Sequence, residues 1–256
     1  MAVRSPLTVA LLLLLAGVAS AAWSVSSAEI EKSSVAGVEH RRIVLTETAS
    51  IEQATLDVAI FSTKTATLRV IDNPTAEDDL AAAMRRTRGI AGVNGGYFDP
   101  QNAPVGLLIS EGKMIAPLHK ARLLSGVLVV AKGRVELLRS AEYSSRKSAL
   151  AALQCGPFLV DGGQPVAGLN NTRSARRTFV FTTGSDRAAL GFCSSVTLAE
   201  LGQVLVARGL VPELKVQRAL NLDGGSSSAF WFAGERGVFS VPEQKTVRDF
   251  VVIVPK

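Results

Sequence analysis

The chain has 256 residues, 28 Lys and Arg against 22 Asp and Glu, a formal net charge of +6, and only two Cys and two His. Its two basic runs, MRRTR at 84–88 and RSARR at 173–177, carry no interleaved aromatics, which argues against a nucleic-acid-binding stripe. The surplus suits an anionic substrate or a negatively charged envelope, and His40 and His119, isolated from each other, do not make a zinc site.

Arg4 precedes an apolar run from Leu7 to Val18 and then Ala19-Ser20-Ala21. The run falls short of the roughly 20 residues a membrane span needs and has the small-x-small ending of a cleavable export signal. Residues 1–21 are therefore read as a signal peptide, with a periplasmic or secreted protein starting at Ala22. Residues 22–40 are polar and read as a flexible lead-in. Residues 41–256 read as one domain, with no membrane segment and no internal linker.

Alternating stretches RRIVLTE, ATLDVAIFS and ATLRVID predict strands. Thr75 is expected to cap a helix over AEDDLAAAMRRTR. Turns at Glu111-Gly112-Lys113, Lys132-Gly133-Arg134 and Gly184-Ser185-Asp186 each separate apolar runs and predict hairpins. SSRKSALAAL reads as a short helix. SVTLAELGQVLVARGL is a stronger one, with Thr197 and Glu200 as a capping box and Gly209 at its end. DFVVIVP closes the chain as a strand. The fold class is α+β, mostly antiparallel sheet built from hairpins with a few packed helices. Cys155 and Cys193 form an even pair in an exported chain, so one disulfide is weighed against two buried thiols.

Three places exceed what a scaffold needs. VNGGYFDP holds Asn94, Gly95, Gly96 and Asp99, and NLDGGSS holds Asn221, Asp223, Gly224, Gly225 and Ser227. Each follows an apolar strand, and paired glycines let backbone N–H groups converge on an anion. Arg176 and Arg177 open a strand and offer guanidinium forks for phosphate or carboxylate. Asp161 and Glu111 read as turn residues, and His119 as a surface or packed side chain.

In this order, GVNGGYFDP, PVGLLISEGK, CGPFLVDGG, RTFVFTTGSDRAALGF and ALNLDGGSSSAFW resemble the phosphodiester glycosidase family. The resemblance implies hydrolysis of a glycosidic bond whose leaving oxygen belongs to phosphate. It implies Asp223, Asp99 and Arg177 as catalytic residues, and Asn94, Gly95, Gly96, Asn221, Gly224, Gly225 and Ser227 as substrate-binding. Where the family often has a third glycine, this chain has Ser226, which would be strained if that position needs a positive φ. The expected partner is a sugar phosphate or glycan, with no cofactor. Two alternatives stay open: a non-catalytic binder of anionic glycans, and a phosphodiesterase holding a hard cation such as Ca2+ on Asp99, Asp223 and the asparagines.

Overall fold

The computed structural model describes residues 23–48, 52–144, 148–207, 210–211 and 213–256. The signal-peptide stretch 1–21 and Gly209 lie outside the described residues. In chain order the elements begin with β1 (Trp23–Lys32), β2 (Val38–Glu47), β3 (Gln53–Ser62), β4 (Ala66–Asp72), α1 (Leu80–Thr87) and β5 (Ala91–Asn94). Two hairpins follow, β6 (Leu108–Ser110) with β7 (Lys113–Ala116), and β8 (Gly126–Ala131) with β9 (Arg134–Arg139). Next come β10 (Ala151–Cys155), β11 (Phe158–Asp161), β12 (Gln164–Pro165), β13 (Ala175–Thr183) and β14 (Arg187–Val196). The chain ends with α2 (Leu198–Val206), β15 (Val216–Asn221), β16 (Phe230–Gly234), β17 (Gly237–Val241) and β18 (Asp249–Pro255).

The strands form an eight-stranded sheet, β1-β2-β3-β14-β13-β15-β11-β12, and two five-stranded sheets, β7-β6-β10-β8-β9 and β17-β16-β5-β18-β4. Pairing between these strands is antiparallel, and the three expected hairpin turns join β6–β7, β8–β9 and β13–β14. One core lies where the sheets meet, filled by Phe61, Val93, Leu153, Phe158, Leu220, Phe230 and Val251 among others. A second lies under α2 and includes Phe179 and Phe181, and a third lies under α1 around Phe250. Each fully buried Phe contributes about 1.5–3 kcal/mol of transfer free energy.

Three local expectations are corrected. The lead-in is a ten-residue strand, β1, paired along β2. Its side chains are mostly exposed, so it lacks the apolar alternation by which a strand is read, and backbone pairing at a sheet edge defines it instead. α1 starts at Leu80, with the Asp79 carboxylate accepting the Ala82 N–H at 2.6 Å. Ala76, at φ 55, turns the chain out of a helical path after Thr75. The described part of SSRKSALAAL has no helix, and Ala151–Cys155 is a buried strand between β6 and β8. Of the two readings weighed for the cysteines, the structure has them as buried thiols in different cores, Cys155 where the sheets meet and Cys193 under α2.

The capping box on α2 forms as expected, with Thr197 accepting from Glu200 N–H and Glu200 accepting from Thr197 N–H. Among the described residues no helix is long and apolar enough to cross a membrane.

Candidate functional site

β5 ends at Asn94 and opens into Gly95-Gly96. β15 ends at Asn221 and opens into Asp223 and a short 3-10 turn, Gly225–Ser227. The first strand belongs to a five-stranded sheet and the second to the eight-stranded sheet, yet the two turns are bonded to one another. Asp223 N–H donates to Gly95 O at 2.9 Å, and Asn94 Nδ2 donates to Asp223 O at 2.8 Å.

The asparagines make this joint. Asn94 is fully buried, and its Oδ1 also accepts the Thr178 hydroxyl at 2.7 Å and the Ala229 N–H at 3.0 Å. Asn221 is buried with its Nδ2 near three oxygens, those of Tyr97 (3.2 Å), Gly156 (3.0 Å) and Leu222 (2.6 Å). Both were expected to contact substrate; the Asn94 amide is taken up in bracing the turns, whereas Asn221 braces them through Nδ2 alone and keeps a buried Oδ1 with no hydrogen-bond partner among the described residues. Buried amides gain most where donors and acceptors are matched inside the protein.

The Gly95-Gly96 amides are also occupied. Gly95 N–H donates to the Asp249 carbonyl at 2.8 Å and Gly96 N–H to Asp249 Oδ1 at 2.9 Å. The anion nest expected at these glycines therefore holds an internal carboxyl group. A Cβ on Gly95 would lie 1.8 Å from Asp249 Oδ1, so close approach explains the glycine. Burial pushes the Asp249 carboxyl up to about 7, aided by Asp72 and Asp223 and opposed by Gly96 N–H and Arg248. Sequence reasoning passed over Asp249, though a carboxylate opening the apolar strand DFVVIVP is the signal that could have found it.

Asp223 is half-buried, and burial raises its carboxyl above the usual range. The Ser227 hydroxyl, Lys245 and the Gly224 N–H (2.9 Å from Asp223 Oδ1) pull it back down. In this turn the left-handed position is Gly225, at φ 66, not Ser226, so the serine in place of the family glycine carries no backbone strain.

Arg177 stands beside the turn, its Nη1 3.8 Å from where a Cβ on Gly224 would lie. Its Nε donates to Val196 O at 3.1 Å and its Nη2 to Arg173 O at 2.6 Å. It has no carboxylate partner among the described residues, and burial lowers its pKa. Arg176 is different. It donates to Ser228 O and Pro242 O and lies over the Phe192 ring at 5.2 Å, which fixes it as a brace.

Two neighbours went unassigned from sequence. The Tyr97 hydroxyl donates to Gly156 O at 2.6 Å, and burial raises its pKa, with Cys155 and Asp223 adding to the shift and Asn221 and Arg177 opposing it. Lys245, an exposed cation 4.9 Å over the Phe98 ring, is close enough to lower the Asp223 pKa.

Asp99 is tied to its own loop, its Oδ1 accepting from Gln101 N–H at 2.9 Å and Ala103 N–H at 2.8 Å. Asp161 pairs with Arg139 and Arg218, and Glu111 with Arg69. His40 is buried against Asp57 at 2.9 Å, and His119 is exposed. Among the described residues no three His, Cys, Asp or Glu side chains are grouped to hold a metal ion.

The sequence profile of the phosphodiester glycosidase family matches residues 87–254, which span both turns and Arg177. The chain belongs to the phosphodiester glycosidase family. The zebrafish N-acetylglucosamine-1-phosphodiester alpha-N-acetylglucosaminidase catalytic domain, auto-inhibited by its pro-peptide, superposes with a TM-score of 0.65 at 14% identity, over 90% of this chain and 88% of that one. A hypothetical protein from Synechocystis superposes at 0.58 with 15% identity, over 86% of this chain and 62% of that one. A candidate exported protein from Burkholderia pseudomallei superposes at 0.55 with 12% identity, over 81% of this chain and 75% of that one. At these identities the superpositions establish a shared fold for this phosphodiester glycosidase domain. No functionally described protein sequence gives a significant match.

Proposed function

We propose that this family member is an exported glycosidase that hydrolyses a sugar-1-phosphodiester at the anomeric C–O bond, releasing the sugar and a phosphomonoester. The observation that carries the reading is a half-buried carboxylate, Asp223, in the same turn region as a half-buried guanidinium without an acidic partner, Arg177. Export rests on the apolar run and small-x-small site at the N-terminus.

Asp223 is the acting carboxylate, as nucleophile toward the anomeric carbon or as base toward water, since a carboxyl raised by burial is the stronger base. The C–O electron pair leaves with the phosphate, and water supplies the hydroxyl that ends on the sugar. Arg177, with Lys245 at the rim, compensates charge on the departing phosphate. Asn94, Asn221 and Asp249 hold the two turns in register, and Asp99 holds its loop, each at one remove from the reaction.

The test is sugar release from UDP-N-acetylglucosamine by the protein starting at Ala22. Asp223→Asn and Arg177→Ala are compared with the unmodified chain, with and without chelator. Loss of turnover in both variants, indifferent to chelator, is expected. Binding of sugar phosphodiesters without turnover would replace the glycosidase by a glycan-binding module, and activity lost to chelator and restored by metal would replace it by the cation-dependent route.

A further inference from the structure

The segment 113–123, KMIAPLHKARL, takes no part in the site above. It comprises β7 and most of the loop that leads toward β8, and it carries three cations, Lys113, Lys120 and Arg122, and no acid. All three are exposed, and none has an ion pair among the described residues. Apolar side chains are interleaved with these charges. Met114, Leu118 and Leu123 are 52%, 37% and 53% exposed, three of the eight large apolar side chains exposed among the described residues. Singly scattered, such residues are ordinary. Here they are concentrated in one short basic stretch.

The loop is held in this projecting form by a buried amide. Gln154 Oε1 accepts the His119 N–H at 2.9 Å, and Gln154 Nε2 donates to His119 O at 2.7 Å and Leu124 O at 3.2 Å. The chain on either side of Lys120–Leu123 is thus tied to β10, while every residue from 117 to 123 is exposed. The loop also adjoins the candidate site. Leu123 O packs so closely on Gly156 that a Cβ there would collide with it, and Gly156 O accepts from the Tyr97 hydroxyl and Asn221 Nδ2.

A partner that fits this segment offers negative charge with an apolar layer directly behind it. An acidic polypeptide supplies the first without the second. A bilayer with anionic headgroups supplies both: Lys and Arg keep their charges at the phosphates with their stems along apolar surface, and leucine side chains leave water for the acyl boundary.

We propose that the segment 113–123 docks this domain on the surface of an anionic lipid bilayer. Lys113, Lys120 and Arg122 meet the headgroup phosphates, and Leu118 and Leu123 enter the acyl boundary. The Tyr97–Gly156 side of the candidate site then lies next to the lipid. The proposal does not rest on the glycosidase reading, because membrane binding is read without turnover.

The test is co-sedimentation of the chain starting at Ala22 with vesicles of phosphatidylglycerol and phosphatidylcholine in equal parts, or of phosphatidylcholine alone. The paired variants Lys120→Gln with Arg122→Gln, and Leu118→Ser with Leu123→Ser, alter exposed side chains, and thermal melts check that the fold is kept. Arg134→Gln with Arg236→Gln removes the same charge from exposed positions elsewhere. Binding at least tenfold tighter to the anionic vesicles is expected. The first pair should weaken it at least tenfold, at about fivefold per cation. The leucine pair should weaken it at least fivefold, and the remote pair less than threefold. No binding to anionic vesicles, equal binding to both kinds, an equal loss in the remote pair, or undiminished binding without the leucines would each overturn the proposal, the last in favour of an acidic polypeptide.

Discussion

Asn94 gives the sharpest test of how the site is held. Its side chain makes three hydrogen bonds, at 2.7, 2.8 and 3.0 Å, to groups on three different segments, and it is fully buried. Asn94→Ala leaves the Thr178 hydroxyl, the Ala229 N–H and the Asp223 carbonyl without that partner. Each buried polar group so orphaned costs roughly 1–3 kcal/mol. Water entering the vacated volume recovers part of this, so a net loss of about 3 kcal/mol is expected, a large share of a typical 5–15 kcal/mol total. Urea denaturation followed by circular dichroism measures it, with Asn170→Ala as the reference. Asn170 also makes several short hydrogen bonds, at 2.9 to 3.3 Å, but it is exposed, so its loss should stay under about 1 kcal/mol. Equal losses in the two variants, or less than about 1 kcal/mol at Asn94, would refute the view that matched burial of this amide holds the turns together.

Asp249→Asn should change the pH dependence of stability. The native carboxyl sits at about 7, against about 3.9 in an unfolded chain. Below pH 4 both states are protonated; from pH 4 to 7 the unfolded chain alone ionises, so wild-type stability falls across that window. The variant lacks this slope, and its stability relative to wild type should rise by up to about 4 kcal/mol between pH 4 and pH 8, read from denaturant midpoints across pH. A flat difference curve would show that Asp249 ionises normally. Gly95→Ala must displace Asp249 Oδ1 from 1.8 Å and should cost about 3 kcal/mol. Gly184→Ala, whose nearest neighbour is 3.5 Å away, should be close to neutral in the same melts. Burial pushes the Cys193 thiol up to about 12 and raises that of Cys155 as well, so neither should react with a thiol reagent at pH 8 until the chain unfolds. Rapid labelling of the native protein would contradict that packing.

The hairpins were legible because their turns state their own geometry: Glu111-Gly112-Lys113 and Lys132-Gly133-Arg134 use residues that take positive φ, and local chemistry suffices to place them. The capping box of α2 was legible for the same reason. β1 was not, because a strand exposed on both faces has no apolar period to read. α1 was misplaced at its start because Ala76 takes a left-handed conformation that nothing in its own side chain announces. At the site, both glycine turns and Arg177 could be picked from the sequence, but the work of each residue could not. Asn94 and Asp223 lie 129 positions apart, and the ligand of the Gly95-Gly96 amides is Asp249, 153 positions beyond Gly96. Such pairings belong to the assembled sheets rather than to any short window of sequence.

The bonds between Asp223 and the Asn94-Gly95 segment cross from one sheet to another. A turn at the end of a strand ordinarily opens by itself, at a free energy well below that of the whole fold. Here neither turn can swing away unless two layers of sheet part, so these exposed-looking bends inherit the rigidity of the interior. Thermal noise that loosens the hairpin tips leaves the Asp223 backbone where it is. The carboxylate and the guanidinium next to it thus hold a fixed spacing, and on the glycosidase reading proposed above that spacing is set before a substrate arrives.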